Sequence, residues 1–171
     1  MTELWVQLES LFVNDDGSLP DIFVSDLTGE QVHKIYNWVR THADIYSESV
    51  SPLAWDCVNN CDVEIETISD PAREFLAGRI ESFRHGLSLF TFSGAEIPQL
   101  TIFITDSSVE FDYRMGTDWG QSQVSALFDF LWAIQQMAPD ATITHGFEGA
   151  SEPTPEFNTA WHQFRRSKTA G

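Results

Sequence analysis

Residues Leu100 to Met115 carry the pattern that most restricts the fold. Leu100 to Thr105 is an apolar, β-branched run, and Asp106-Ser107-Ser108 is a short polar connection. After it Val109, Phe111, Tyr113 and Met115 alternate with Glu110, Asp112 and Arg114. Successive side chains of a strand point to opposite faces, so the second run presents one apolar and one charged face. The pair predicts a hairpin, 100–105 and 109–115, whose first strand is apolar enough to lie centrally in a sheet.

The remaining elements follow from periodicity. Leu4, Val6 and Leu8 alternate with Trp5, Gln7 and Glu9, which predicts a further strand. Asp15-Asp16-Gly17 reads as a turn, and Ile22 to Val24 as a short extended run. Thr28 and Gln31 have capping-box spacing, and Val32, Ile35, Tyr36 and Val39 form one stripe, so a helix is expected over 29–42. Ser47 to Asn60 reads as a loop from which Leu53, Trp55 and Val58 could plug into the core. Val63, Ile65 and Thr67 alternate with Asp62, Glu64 and Glu66, a strand with one wholly acidic face. Asp70-Pro71 opens a helix over 71–85 with the stripe Ala72, Phe75, Leu76, Ile80 and Phe83, and Gly86 stands as its C-cap.

Strands are expected at 87–92 and 141–147, and a long helix over 118–138 that begins at Asp118 and ends before Pro139. Gly149 to Pro153 reads as a linker, after which Phe157, Ala160, Trp161 and Phe164 stripe a last helix ending in Arg165, Arg166 and Lys168. The predicted fold is α+β: a mostly antiparallel sheet with helices packed on one face. Residues 1–148 are expected to form a single domain, and 149–171 a linker and a C-terminal helix docking on that domain.

A chain of 171 residues with 13 Phe and 6 Trp has ample material for a core without disulfides. Its 26 Asp and Glu face 9 Lys and Arg, a formal net charge of -17, which repels nucleic acid and anionic membranes and favours basic partners. Glu3 and Glu9 stand where a signal peptide would be basic, no run of 18 apolar residues occurs, and two cysteines make no disulfide framework. A cytoplasmic location is expected.

Signatures of catalysis are missing. There is no G-x-S-x-G, no G-x-G-x-x-G and no phosphate-binding glycine loop, and Asn14 to Gly17 fails the calcium-loop spacing. Cys57 and Cys61 supply half of a zinc site with no second half in His33, His42, His85, His145 or His162, so two reduced, semi-buried thiols are expected and neither metal nor cofactor. The acidic stripes are the stronger feature. If the strands bearing Asp62, Glu64 and Glu66 and those bearing Glu110 and Asp112 are neighbours, five carboxylates share one sheet surface at a cost that a basic partner would offset. Asp118 and Trp119 stand beside them as a further acid and an exposed aromatic anchor, with Trp55 and Trp132 also outside the buried stripes.

Ile97-Pro98-Gln99-Leu100-Thr101-Ile102-Phe103-Ile104 followed by Val109-Glu110-Phe111-Asp112-Tyr113-Arg114 resembles the central hairpin of small bacterial immunity proteins that neutralise secreted toxins. The resemblance carries over no binding residue. It implies a small, cytoplasmic, acidic α or α+β domain that holds a toxin, frequently a basic nuclease, in an inactive complex. The expected function is therefore a non-enzymatic binding protein that blocks a basic protein partner through Asp62, Glu64, Glu66, Glu110, Asp112, Asp118 and Trp119. Two alternatives stand beside it: a small enzyme or ligand-binding domain with a pocket between sheet and helices, marked by a buried His85 or His145, and a nucleic-acid mimic with acids regularly spaced on one elongated face.

Overall fold

A computed structural model describes residues 3–45, 52–88, 90–147 and 152–170. Among these, the helices are α1 Glu3–Val13, α2 Gly29–Arg40, α3 Pro71–Leu76, α4 Gln121–Met137 and α5 Pro155–Thr169. The strands are β1 Asp21–Ser25, β2 Asp44–Ile45, β3 Leu53–Asp56, β4 Cys61–Glu64, β5 Arg84–Ser88, β6 Phe90–Phe92, β7 Ala95–Ile97, β8 Leu100–Ile104, β9 Val109–Tyr113 and β10 Thr142–Gly146. Six of them form an antiparallel sheet in the order β10-β1-β9-β8-β5-β2, while β3-β4 and β6-β7 are separate two-stranded sheets.

The alternation that predicted the central hairpin sets its register. Ile102 pairs with Phe111 and Leu100 with Tyr113, and these side chains, with Val109 and Ile104, are fully or almost fully buried. Ile22 and Val24 of β1, Leu87 of β5 and Ile143 of β10 extend the same inner face. Helix α2 packs on β8 and β9, α4 lies against α2 and the β6–β7 hairpin, and α5 packs on β10, α1 and α4. The fold is thus α+β, with helices on one face of an antiparallel sheet. Phe23, Thr101, Phe103, Glu110 and Thr144 on the opposite face are only partly buried. Each large apolar side chain taken fully into the inner layer contributes roughly 1.5–3 kcal/mol of transfer free energy.

Local chemistry fixes the element ends. Thr28 Oγ1 accepts from the Gln31 amide at 3.3 Å and Gln31 Oε1 accepts from the Thr28 amide at 2.8 Å, the reciprocal capping box that starts α2. Asp70 caps the Arg73 amide at 3.2 Å with Pro71 in the first turn of α3. Ser93 and Gly94, at φ 47 and 82, make the tight β6–β7 connection. Lys168 Nζ lies 2.7 Å from Asp129 Oδ1 and ties the end of α5 to α4.

Several expectations are corrected. Residues 4–8 are helical, in α1: Trp5, Leu8 and Phe12 are buried at helical spacing, and Val6, an inward position of the expected strand, is exposed. The helix expected over 71–85 stops at Leu76, where Gly78 takes φ 68. Ile80 and Phe83 continued its period by coincidence: Ile80 bridges to Asp56, Phe83 is buried before β5, and Gly86 lies inside that strand. The long helix starts after Gly120, not at Asp118. The loop expected at 47–60 contains the β3–β4 hairpin from residue 53 onward, and residues 47–51 lie outside the described residues, as does 149–151 of the expected linker.

Candidate partner interface

The acidic residues singled out in the sequence fall in four places. Asp62 and Glu64 lie on β4, which pairs with β3 alone, whereas Glu110 and Asp112 lie on β9 in the centre of the main sheet. Five carboxylates therefore do not share one sheet surface. The strand expected to carry all of Asp62, Glu64 and Glu66 ends at Glu64, and Ile65–Thr67 turns as a 3₁₀ helix with Ile65 buried in the core.

That turn gives Glu66 an internal role. Its Oε1 lies 2.6 Å from His85 Nε2, and Tyr36 Oη lies 2.8 Å from His85 Nδ1. Burial pushes the His85 pKa down, against the pull of Glu66 in the other direction, so the ring is neutral. Its Nε2–H then donates to Glu66 while Nδ1 accepts the Tyr36 hydroxyl proton. Arg40 Nη2, 3.4 Å from Glu66 Oε2, completes the cluster. Burial likewise raises the Tyr36 pKa, keeping it a phenol.

Asp112 is 8% exposed and paired to Arg84, whose guanidinium also sits 5.0 Å over the Phe103 ring. Burial pushes the Asp112 pKa up, opposed by the Thr101 hydroxyl and Arg84. Beside it on β9, Glu110 is partly buried, with Oε1 accepting from Ser108 Oγ at 3.2 Å. A surface cavity of 410 Å³ lined by Leu19, Asp21, Arg84, Thr101 and Asp112 opens on this face.

Trp119 is no exposed anchor. It is 4% exposed, its ring stands 4.7 Å from Phe12 and 5.2 Å from Tyr113, and its indole N–H donates to Arg114 O at 2.8 Å. Asp118 beside it remains exposed, bordering a 490 Å³ surface recess with Asp15 and Arg114.

The second buried histidine is also fully partnered. His145 Nε2 lies 2.8 Å from Tyr113 Oη, which donates to Leu11 O at 3.0 Å, and His145 Nδ1 lies 2.8 Å from Thr154 Oγ1. Burial depresses the His145 pKa to about 4. The chain of bonds joins α1, β9, β10 and the start of α5. Both histidines named as markers of an enzymatic pocket thus have each ring nitrogen hydrogen-bonded inside the core. Among the described residues, no three His, Cys, Asp or Glu side chains gather into a possible metal site, and no helix is long and apolar enough to cross a membrane.

The β3–β4 hairpin presents the opposite picture. In its register Leu53 faces Glu64 and Trp55 faces Asp62, so these four side chains share one face, and all four are exposed. Ala54 and Val63, on the other face, pack inward. Leu53 is 46%, Trp55 39% and Val58, in the turn, 65% exposed, against the expectation that they enter the core. The hairpin is held firmly. The Cys57 amide donates to Arg79 O and the Glu81 amide to Trp55 O, both at 2.9 Å, and the Ile65 amide to Pro52 O at 2.9 Å. Asp56 accepts from the Val58 and Asn59 amides at 2.8 and 2.9 Å, and these bonds, that from Asn59 foremost, lower its pKa. Cys57 and Cys61 flank the turn as free thiols and are exposed, not semi-buried.

Sequence reasoning missed the outward role of Leu53 and Val58, while for Trp55 the reading outside the buried stripes holds and the core plug does not. The signal was present: Leu53 and Trp55 alternate with Ala54 and Asp56, and the small alanine, not the tryptophan, marks the face that must pack closely.

No protein-family model matches the chain, and no curated protein matches it. Among solved structures, the fold is similar to a chain of the crystal structure of the toxic C-terminal tip of CdiA from Pseudomonas aeruginosa in complex with immune protein. The likeness has a TM-score of 0.52 at 14% identity and covers 79% of this chain and 89% of that one. The likeness is one of fold, an α+β architecture shared with that chain.

Proposed function

We propose that this chain is an acidic, non-enzymatic inhibitor of the immunity type, which neutralises a basic protein toxin in the bacterial cytoplasm. The observation that carries this reading is the fold likeness to a chain of the CdiA tip–immune protein complex over 79% of the length. The charge supports the immune side of such a pair: at -17, the chain attracts a cationic enzyme and repels the nucleic acid on which a cationic nuclease acts. The exposed carboxylates Asp62, Glu64 and Asp118 and the partly buried Glu110 are proposed to steer the encounter. Glu66, Asp112 and Trp119, bound within the fold, support the surface without touching the partner.

The test is capture of partners from the native lysate on the immobilised chain at low and high salt, followed by mass spectrometry. A single basic protein should be retained stoichiometrically and less well at high salt. Expressed alone, that protein should arrest growth, and co-expression of this chain should relieve the arrest. Growth arrest by this chain itself, or a retained protein whose activity it leaves intact, would contradict the proposal. No observation favours the enzyme reading, and the dispersal of the acids over separate elements does not favour a nucleic-acid mimic.

A further inference from the structure

We propose that the outward face of the β3–β4 hairpin is the gripping surface, and that its occupant is a cationic protein surface with an apolar recess for Trp55 bordered by Lys or Arg side chains. This rests on the inhibitor reading and specifies where that inhibitor binds.

Among the described residues, five large hydrophobic side chains are exposed, and three of them, Leu53, Trp55 and Val58, belong to this hairpin. They are not needed to hold it in place. Ala54 and Val63 attach its inner face to the core, and backbone bonds to residues 79–81 and Pro52 fix its edge and base. The Trp55 ring has no aromatic or cationic partner among the described residues, whereas Trp119 and Trp161 are packed within aromatic clusters. A half-exposed tryptophan carried on a hairpin whose backbone is fixed in advance of binding costs little backbone entropy to cover, as suits an interface hot spot.

The acids on the same face select the occupant. Asp62 stands directly across from Trp55 and Glu64 from Leu53, and no hydrogen bond or ion pair engages either carboxylate among the described residues. Glu66 and Asp112, by contrast, are already paired with His85 and Arg84. Covering Trp55 also dehydrates Asp62 and Glu64. A neutral apolar partner would leave two desolvated charges uncompensated, and a second copy of this chain would set like carboxylates and net charges of -17 against each other. Lys and Arg side chains beside the apolar recess remove both penalties.

The test places the photo-crosslinking residue p-benzoylphenylalanine singly at positions 55, 58, 6 and 110 of the full chain in its native cells. Val6 is as exposed as Val58 but lies on α1, and Glu110 lies on the open face of the main sheet. An adduct from 55 and 58 only, whose peptides map to one protein rich in Lys and Arg, is the expected result. With that protein purified, Trp55→Ala should weaken binding about 30-fold and Val6→Ala less than twofold, while Asp62→Lys with Glu64→Lys should cut association about tenfold at low salt. Adducts from 6 or 110 but not 55 overturn the hairpin surface and leave the inhibitor reading standing. An adduct of twice the chain's mass, or to an acidic protein, overturns the stated occupant. Adducts from none of the four positions overturn both.

Discussion

In the β8–β9 hairpin the large side chains, Ile102, Ile104, Phe111 and Tyr113, turn inward and the acids outward; in β3–β4 Leu53 and Trp55 turn outward together with the acids. Both hairpins are antiparallel ladders with strict alternation, so the backbone does not distinguish them. What differs is which face must pack. Helices α2 and α4 need bulk from the central hairpin, whereas the small hairpin lies at the periphery, where Ala54 and Val63 suffice to seat it. The comparison separates residues that stabilise the fold from residues free to serve a partner.

The sharpest way to break that separation is truncation on each side. Phe111→Ala should cost about 3–5 kcal/mol in urea unfolding, because it empties a buried ring site beside Phe130. Trp55→Ala should cost less than about 1 kcal/mol. Equal losses would mean that Trp55 belongs to the core after all.

Acid should act next most strongly, through the core side above all. The His145 pKa is depressed from 6.5 to about 4, so between those values the unfolded chain binds a proton that the folded chain refuses. Stability is complete above pH 6.5 and falls as pH drops toward 4, by roughly 3 kcal/mol from this residue. His85, also depressed by burial, acts in the same direction. Asp112, whose pKa is raised, works oppositely: what it contributes is present below the ordinary carboxylate range and is lost as pH rises through its raised value. Urea melts at pH 7 and pH 4.5 should show the loss, and His145→Gln should flatten it.

Glu66→Gln should be milder, costing about 1–2 kcal/mol in the same melts as the charge-assisted bond to His85 becomes a neutral one. Unchanged stability would remove the claim that Glu66 has an internal role through its bond to His85. The smallest effect is expected from Asp62→Lys with Glu64→Lys, within about 0.5 kcal/mol of wild type, since both residues are exposed and unpaired among the described residues.

The same contrast explains what the sequence could disclose. The central hairpin, the capped helix α2 and the stripe of α4 were legible because long periodic runs coincide with one buried face. Helix α1 was misread because Leu4, Val6 and Leu8 alternate by chance, while the position that settles its period, Phe12, lies beyond that run. The short α3 was overextended because Ile80 and Phe83 are buried by unrelated contacts. For the candidate surface, Asp62 and Glu64 were found from their charge alone. Trp55 reads both as a core plug and as an aromatic outside the buried stripes, because hydrophobicity does not say which way a peripheral strand faces; the structure bears out the second reading. Glu66, Asp112 and Trp119 read as free in the sequence because their partners lie 19, 28 and 5 residues away and meet them only in the folded chain.

Hydrogen–deuterium exchange on the chain alone and bound to its captured basic partner tests the account most directly. Protection should rise across residues 53–64 and stay unchanged across 100–113. Protection confined to 100–113, with 53–64 exchanging as in the free chain, would contradict the account, since the hairpin that holds its hydrophobic side chains outward would then have no partner to cover them.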